Sequence, residues 1–220
     1  MSEETNTAVV DCTVDTNRYI DCTTQSNQNG NSDVTVQVSD GSLAAMDTFR
    51  VNVVNVNDAP LWTTSIADAN QNEDFGAITQ ANDLSTYVTD ADGDAITFSV
   101  AAENTAQVDC QITGNQLMLN SVANWNGAAS CTIRANDNNG GIADDIFSIN
   151  VNPVSDSPTV TITAPTEGET ISGTYMVTWA ASDPDQSSST LDIMIQYRYN
   201  GTGWITLEDA MDNNDGSFTW

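Results

Sequence analysis

The chain has 220 residues and is strongly acidic: 31 aspartates and glutamates stand against four arginines, with no lysine and no histidine, giving a formal net charge of −27. Such a surface lacks the cations that bind nucleic-acid phosphates or anionic lipids, and the absence of histidine excludes Ser-His-Asp hydrolases. No apolar run approaches the roughly 20 residues of a membrane-spanning helix, and the first four residues do not open a signal peptide. We therefore expect no nucleic-acid partner and no membrane insertion, and we expect the carboxylates to attract cations.

Short runs of alternating apolar and polar residues cover the chain, and clusters of Gly, Asn, Asp and Pro separate them. A period of two is typical of half-buried β-strands, and no segment shows a helical 3.6-residue period over a helical length. In chain order, the pattern predicts a hairpin around 15–17, a strand over 95–100, a hairpin around 114–115, and strands over 131–135, 146–151 and 192–197. These elements predict an all-β sandwich array.

Three blocks of sequence recur in the same order at one offset, which indicates an internal repeat. Residues 6–12 recur as 104–110, residues 49–53 as 147–151, and residues 56–60 as 154–158, each at an offset of 98. Asn29-Gly30 matches Asn126-Gly127 at 97, so a single-residue length change lies in a loop between the blocks.

The repeat predicts three segments. Residues 1–57 are the C-terminal part of one repeat (the first repeat), residues 58–156 are a complete repeat (the second repeat), and residues 157–220 are a C-terminally incomplete third module. Two explanations for the incomplete end modules remain open: the chain is a clipped piece, or strands of neighbouring copies complete the modules.

Four cysteines fall two and two into the repeats. Cys12 and Cys22 flank the predicted hairpin around 15–17, and Cys110 and Cys131 lie in separate predicted strands. We predict one disulfide in each pair; the second would close a loop of about 20 residues and contribute about 3 kcal/mol. Buried free thiols in a cytosolic protein are the alternative. An even number of cysteines in each repeat favours an oxidising, extracellular location.

Asp90-Ala91-Asp92-Gly93-Asp94, just before a predicted strand, is the strongest chemical motif. Alternate aspartates on a glycine-containing turn direct several oxygens into one small volume, and Ca²⁺ prefers six to eight oxygen ligands. The flanking strands and the missing downstream glutamate exclude an EF-hand. Loops at the same predicted end of the sandwich add candidate ligands: Asn55, Asn57, Asp58 and Asp137. The alternative is that these Asp and Asn residues only form turns.

Motif order and spacing over about residues 5–158 resemble the cadherin-like tandem repeats of bacterial and archaeal extracellular surface proteins. The resemblance rests on the segment from Phe49 to Pro60, on Asn72-Glu73-Asp74, and on the segment from Val88 to Asp94. It implies Greek-key (Ig/cadherin-like) β-sandwiches arranged end to end, with calcium at the joints.

By this resemblance, Asn57, Asp58, Asp90 and Asp92 would serve the first joint. Glu73 would face the second joint with Asp156, Asp183 and Asp185. The second joint departs from the family pattern, because Ser155 replaces the linker asparagine and Asp183-Pro184-Asp185 lacks the Gly-Asp ending.

The third module resembles fibronectin type III or Ig-like domains of secreted microbial proteins, on the segments 175–179 and 197–204. Strand alternation predicts Trp179 in the core, whereas Trp204 follows a turn near Tyr199, where an exposed aromatic group could bind sugar.

These features lead to the hypothesis of a non-enzymatic structural segment of a calcium-stabilised extracellular filament or large cell-surface adhesin. Its partners would be calcium ions and other copies of itself or neighbouring repeats. The alternative is an adhesive module that recognises carbohydrate or a partner protein. A glycosidase with two carboxylates is disfavoured, because the aspartates lie in hydrated turns.

Overall fold

The structure, a computed structural model, describes residues 2–4, 8–16, 18–199, 201–211 and 214–220. Within these ranges the chain is almost entirely β, with two three-residue 3-10 helices, Leu84–Thr86 and Ser188–Thr190. None of the described helices has the length and apolar character needed to cross a bilayer. The strands of the first repeat are β1 (Ser2–Glu4), β2 (Val10–Val14), β3 (Ile20–Thr24), β4 (Gly30–Ser39) and β5 (Ala44–Val53).

The strands of the second repeat are β6 (Leu61–Trp62), β7 (Ala69–Asn72), β8 (Ala77–Ala81), β9 (Val88–Thr89), β10 (Thr97–Ala102), β11 (Val108–Thr113), β12 (Gln116–Ser121), β13 (Gly127–Asn136) and β14 (Ile142–Asn152). The third module contains β15 (Thr159–Ala164), β16 (Met176–Ser182), β17 (Ile193–Tyr197), β18 (Ile205–Met211) and β19 (Ser217–Thr219). The prediction of an all-β protein is confirmed.

The second repeat is a two-sheet sandwich. One sheet has the strand order β10-β13-β14-β7, the other β11-β12-β8, and β6 pairs with β9. Alternate residues of β13 and β14 point inward, where Ile133, Phe147 and Ile149 pack with Leu117 and Leu119 from the opposite sheet. Period-two alternation puts one face of each strand into this core, as the sequence predicts.

The first repeat reproduces half of this arrangement. Its sheets have the orders β1-β4-β5 and β2-β3. The β4–β5 register matches the β13–β14 register at the repeat offset, since Val34 pairs with Phe49 just as Cys131 pairs with Phe147. In the third module, β15-β16-β19 and β17-β18 form two sheets. Trp179 is buried there, as predicted.

Both predicted disulfides are present. Cys12 and Cys22 lie directly opposite each other on β2 and β3, whereas Cys110 on β11 bonds Cys131 on β13 and so joins the two sheets of the second repeat. The predicted hairpin around 114–115 is confirmed as β11–β12. The strand predicted over 95–100 begins instead at Thr97. Its early residues still belong to the preceding loop, where the Ala95 carbonyl accepts a hydrogen bond from Asn138 Nδ2 at 2.8 Å.

Candidate cation sites at the two joints

The aspartate turn before β10 is folded around Asp90. Asp90 Oδ1 accepts the backbone N–H groups of Asp92 at 2.9 Å and Asp94 at 3.2 Å. Gly93 adopts a φ of 76°, a left-handed conformation that glycine adopts without strain. Asp90 Oδ2 is buried and has no hydrogen-bond partner. The turn therefore holds one carboxylate oxygen away from water without satisfying it.

Asp137, in the loop between β13 and β14, is only 2% exposed. Its Oδ1 accepts the backbone N–H groups of Asn139 at 2.8 Å and Gly141 at 2.9 Å, and its Oδ2 accepts Asn57 Nδ2 at 2.7 Å. The hydrogen bond from Asn57 is the largest of the contacts that lower the pKa of Asp137 below the ordinary aspartate value, so the carboxylate is held in its charged form.

These two loops meet at the first joint, the end of the second repeat where the linker from residue 54 to residue 60 enters. One carboxylate oxygen from each of Asp90, Asp94 and Asp137 lies within 4.8 Å of the others. The linker is tied to the same loops, because the backbone N–H of Asp58 donates to Asp92 Oδ2 at 2.7 Å and Asn57 binds Asp137. Charge at this cluster is therefore coupled directly to linker geometry.

Glu73 organises the second joint, where the linker from residue 153 to residue 158 leaves the second repeat. Glu73 is 5% exposed, and its carboxylate accepts hydrogen bonds from the backbone N–H of Val154 and, at 3.4 Å, from Asn126 Nδ2. Oxygens of Glu73, Asp156 and Asp185 lie within 4.8 Å of one another. Asp185 also accepts the backbone N–H of Asp156, so this linker too is bound at both ends of the cluster.

In the second cluster, the charged form of Asp156 is disfavoured. Burial raises its pKa above the ordinary aspartate value, and the negative charges of Asp185, Asp74, Glu73 and Asp183 raise it further. Its Oδ2 is buried without a hydrogen-bond partner. A bound cation would remove both penalties.

Both clusters fit a hard divalent cation. Their donors are oxygens, which suit Ca²⁺. Among the described residues, the buried side-chain oxygens without a hydrogen-bond partner are Asp90 Oδ2, Asp156 Oδ2 and Ser32 Oγ, so each cluster contributes one of the three. A further grouping of Glu103 with Cys110 and Cys131 is not a metal site, because the two sulfurs form a disulfide.

The remaining predicted ligands lie around these clusters. Asp183 Oδ1 accepts the backbone N–H groups of Asp185 and Gln186 and shapes the loop of the second cluster. Asn55 Oδ1 accepts a hydrogen bond from Asn29 Nδ2 at 2.8 Å, and its place among the ligands stays a prediction.

Asn139 and Asp74 also belong to the surroundings of the two clusters, although neither is among the predicted ligands. Asn139 Nδ2 donates to Asp94 Oδ2 at 2.7 Å, and Asp74 raises the pKa of Asp156. Asn139 lies two residues after the predicted ligand Asp137, and Asp74 directly follows the predicted ligand Glu73. This closeness in sequence is the signal by which both residues could have been found.

Comparison with known proteins agrees with the fold class. Residues 158–206 match the family model described as bacterial Ig domain. No curated protein sequence matches the chain. The matched residues lie in the third module, and the second repeat is a two-sheet β-sandwich.

Solved structures with a similar fold include two protocadherins and a hydrolase. Cadherin domains 1–4 of protocadherin gamma B7 are 12% identical, with 100% of this chain and 64% of that chain covered and a TM-score of 0.47. Domains EC1-2 of the human mucin-like protocadherin are 14% identical, with 70% and 85% covered and a TM-score of 0.41. An endo-fucoidan hydrolase of glycoside hydrolase family 107 is 21% identical, with 70% and 23% covered and a TM-score of 0.35. The chain thus spans less than two thirds of the hydrolase and of the gamma B7 structure.

Proposed function

We propose that the chain is a non-enzymatic structural segment of an extracellular filament or large cell-surface adhesin, and that calcium rigidifies its joints. The observation that carries this proposal is the pair of acidic clusters. Each one gathers carboxylate oxygens from three residues within 4.8 Å and contains a buried carboxylate oxygen that no donor satisfies. Buried unpaired carboxylate oxygens are costly unless a cation or a hydrogen-bond donor compensates them.

Calcium would supply the positive charge that the clusters lack. At the first joint Asp90, Asp94 and Asp137 would hold the ion, and at the second joint Glu73, Asp156 and Asp185 would do so. Without the ion, like charges repel within each cluster. Extracellular calcium modules typically have dissociation constants of about 10⁻⁴ to 10⁻³ M, so the joints would be filled at extracellular calcium concentrations.

The link from charge to stiffness passes through the linkers. The carboxylates of Asp92, Glu73 and Asp185 each accept a backbone N–H group from linker residues. Neutralising the clusters would hold these carboxylates in place, and with them the backbone that connects successive sandwiches. The proposed mechanism is therefore a change in joint flexibility without a change of fold.

The composition supports an extracellular location. Two disulfides stabilise modules that have modest cores, and disulfides persist in oxidising compartments. The bacterial Ig match in the third module agrees with a surface or secreted protein.

The test is small-angle scattering and calorimetry in millimolar calcium and in EDTA. We expect chelation to broaden the distance distribution and to lower the melting temperature. The double variant Asp90→Asn with Asp156→Asn should show the same distance distribution and the same melting temperature in calcium as in EDTA. A charge-matched control, Asp11→Asn with Asp21→Asn on the exposed faces of the β2–β3 hairpin, should retain the calcium response. Identical profiles and melts in calcium and EDTA would overturn the calcium mechanism.

An adhesive function is the second candidate, and one observation favours it. Trp204 is 63% exposed, Tyr199 is also exposed, and the guanidinium of Arg198 lies 5.0 Å from the Trp204 ring centroid. An exposed aromatic ring presents a flat apolar surface on which a sugar ring could stack, and the cation–π contact with Arg198 would hold the Trp204 ring in position. If this site binds carbohydrate, Trp204→Ala should abolish glycan retention, and Leu61→Ala, at a similarly exposed apolar residue, should not.

A further inference from the structure

The outer face of the β10-β13-β14-β7 sheet in the second repeat carries no net charge. Side chains alternate across a strand, and the ones that these four strands turn away from the core are hydroxyls, amides, alanines, two isoleucines, Arg134 and Asp144. Arg134 donates to both carboxylate oxygens of Asp144, at 2.8 and 2.7 Å, so these two charges cancel. In a chain with a net charge of −27, this outer face is therefore a region where like charge opposes the approach of a second copy least.

Hydrogen bonds within the sheet fix the polar part of the outer face. Asn150 and Asn152 both donate to Asn70 Oδ1, at 3.2 and 2.8 Å, and so tie β14 to β7. Asp68, at the edge of the sheet, accepts the backbone N–H of Ser148 at 2.7 Å. The polar groups beside the ion pair are thus held in place before any partner arrives.

Two isoleucines flank the ion pair on β14. Ile142 is 49% exposed and Ile146 is 66% exposed, on either side of Asp144. Phe147 and Ile149 of the same strand are buried, so the isoleucines lie on the side of the sheet that faces away from the core. Strands β13 and β7 pair with β14 on its two sides, and the exposed apolar side chains therefore lie on a flat sheet surface and not at a free edge.

We propose that this outer face binds the same face of a second copy of the chain. The two-fold axis would run along the strands between β13 and β14, which exchanges the two strands and keeps each position along them. Residues that pair across β13 and β14 within one copy would then meet across the interface. Arg134 of each copy would lie on Asp144 of the other, and Ile146 would cover Thr132.

Charge complementarity favours a second copy over other partners. The four charges of two ion pairs would form a ring of alternating sign, whereas an apolar partner would cover one ion pair without replacing its water. An anionic partner would be repelled by the chain as a whole, and a basic one would find the carboxylate of Asp144 already bound by Arg134. At physiological ionic strength the Debye length is about 8 Å, so acidic groups far from the contact are screened.

This self-association does not depend on the proposed calcium sites. The outer face is formed by strand residues, whereas the two cation clusters lie in loops and linkers at the ends of the repeat. The side-by-side contact would join copies that point in the same direction, because the two-fold axis runs along the strands.

The first test is sedimentation velocity of the whole chain over a concentration series, in millimolar calcium and in EDTA. We expect a concentration-dependent dimer under both conditions. Ile146→Glu brings a carboxylate into the contact and should weaken dimerisation by about tenfold or more. The control Gln111→Glu adds the same charge on the exposed face of β11, in the opposite sheet, and should leave dimerisation unchanged. Both variants should keep the melting temperature of the unmodified chain and its response to calcium, so the calcium proposal is judged separately.

A charge reversal tests the alignment of the two copies. The double variant Arg134→Asp with Asp144→Arg keeps the ion pair within each chain, and two copies of the variant still place opposite charges together. A mixed dimer with the unmodified chain would instead place arginine against arginine and aspartate against aspartate. Because the chain has no lysine, an amine-reactive dye labels its N-terminus alone, and fluorescence-detected sedimentation then counts mixed dimers. We expect each protein to dimerise with itself and the mixed dimer to be depleted.

Three outcomes would overturn the proposal. One is a chain that stays monomeric at millimolar concentration. Another is a dimer that Ile146→Glu leaves intact, or mixed dimers that form as readily as the unmixed ones. The third is a monomer that is retained on an uncharged polysaccharide unless Ile146 is changed to Glu, which would assign the outer face to carbohydrate.

Discussion

At the scale of single residues, the two joints depend on carboxylates placed where water cannot reach them. Asp90 and Asp156 each have one buried oxygen without a donor, and Asp137 is held charged by Asn57 and by backbone N–H groups. An isolated protein would gain nothing from such placement, since unsatisfied buried oxygens destabilise a fold. The cation proposed for each joint would offset this destabilisation.

Asp156 should make the metal-free protein less stable as pH rises, whereas a carboxyl group with a lowered pKa has the opposite effect. Its folded-state pKa is raised by burial and then by neighbouring carboxylates, chiefly Asp185. The group therefore stabilises the metal-free fold below its unfolded pKa, and that contribution is lost as pH rises through the raised pKa. In EDTA at neutral pH, Asp156→Asn should melt at a higher temperature than the unmodified protein, with the difference closing in acid.

In calcium, the same variant should melt at a lower temperature, because a ligand has been removed. Melting curves across pH, with and without calcium, measure both effects. A variant that is less stable under both conditions would show that the carboxylate has only a structural role.

Gly141 should be intolerant of any side chain. A β carbon there would lie 2.2 Å from Asp137 Oδ2 and 2.7 Å from Ala59 Cα, so it would displace both the carboxylate and the linker. We expect Gly141→Ala to lower the free energy of unfolding by about 1–3 kcal/mol and to weaken calcium binding. Gly203→Ala is the matched control, since an added β carbon there meets no atom within 4 Å. Chemical denaturation and calcium titration of the two variants compare them directly.

At the scale of elements, the two repeats use equivalent cysteines differently. Cys12 and Cys110 are counterparts at the repeat offset, but Cys12 bonds across a hairpin and Cys110 bonds across the core to the other sheet. The position of Cys131 is occupied in the first repeat by Val34, and that of Cys22 is occupied in the second by Leu119. At each of these two positions, one repeat has half of a disulfide and the other has an apolar side chain.

Removal of the inter-sheet disulfide should destabilise the second repeat without changing its fold. The double variant Cys110→Ala with Cys131→Val copies the valine of the first repeat at the second position. The bond closes a sequence separation of 21 residues, for which chain entropy predicts a loss of about 3 kcal/mol. Urea denaturation measures the loss. An unchanged midpoint would mean that packing alone holds the two sheets together.

At the scale of the whole molecule, a net charge of −27 opposes compaction, and cations can relieve this in two ways. Monovalent salt only screens the charges. Calcium that binds the folded state also stabilises it by mass action. At about 10 to 100 times the dissociation constant this amounts to about 1.4–2.7 kcal/mol per site.

We therefore expect calcium to raise the melting temperature more than sodium chloride of equal ionic strength does. In the double variant Asp90→Asn with Asp156→Asn, the two salts should raise the melting temperature equally. Equal shifts from the two salts would assign the whole effect to screening.

Much of the fold could be predicted because alternation and repetition are local signals. Strands such as β13 and β14 show their inward residues at every second position, and the offset of 98 aligns the two repeats before any coordinates are known. The segment boundaries remain a prediction. The predicted start of β10 differs from the observed one because a loop side chain binds the backbone there: Asn138 donates a hydrogen bond to the Ala95 carbonyl.

The all-β class, the predicted cysteine pairs and the residue types of the candidate joints follow from the sequence, because strand period, cysteine spacing and oxygen-rich turns are local features of the chain. Which carboxylates lie together, and that Asp90 and Asp156 each have an oxygen without a hydrogen-bond donor, is seen only in the folded structure. Distances between loops and the burial of single atoms depend on how distant segments pack, and local sequence patterns do not encode that.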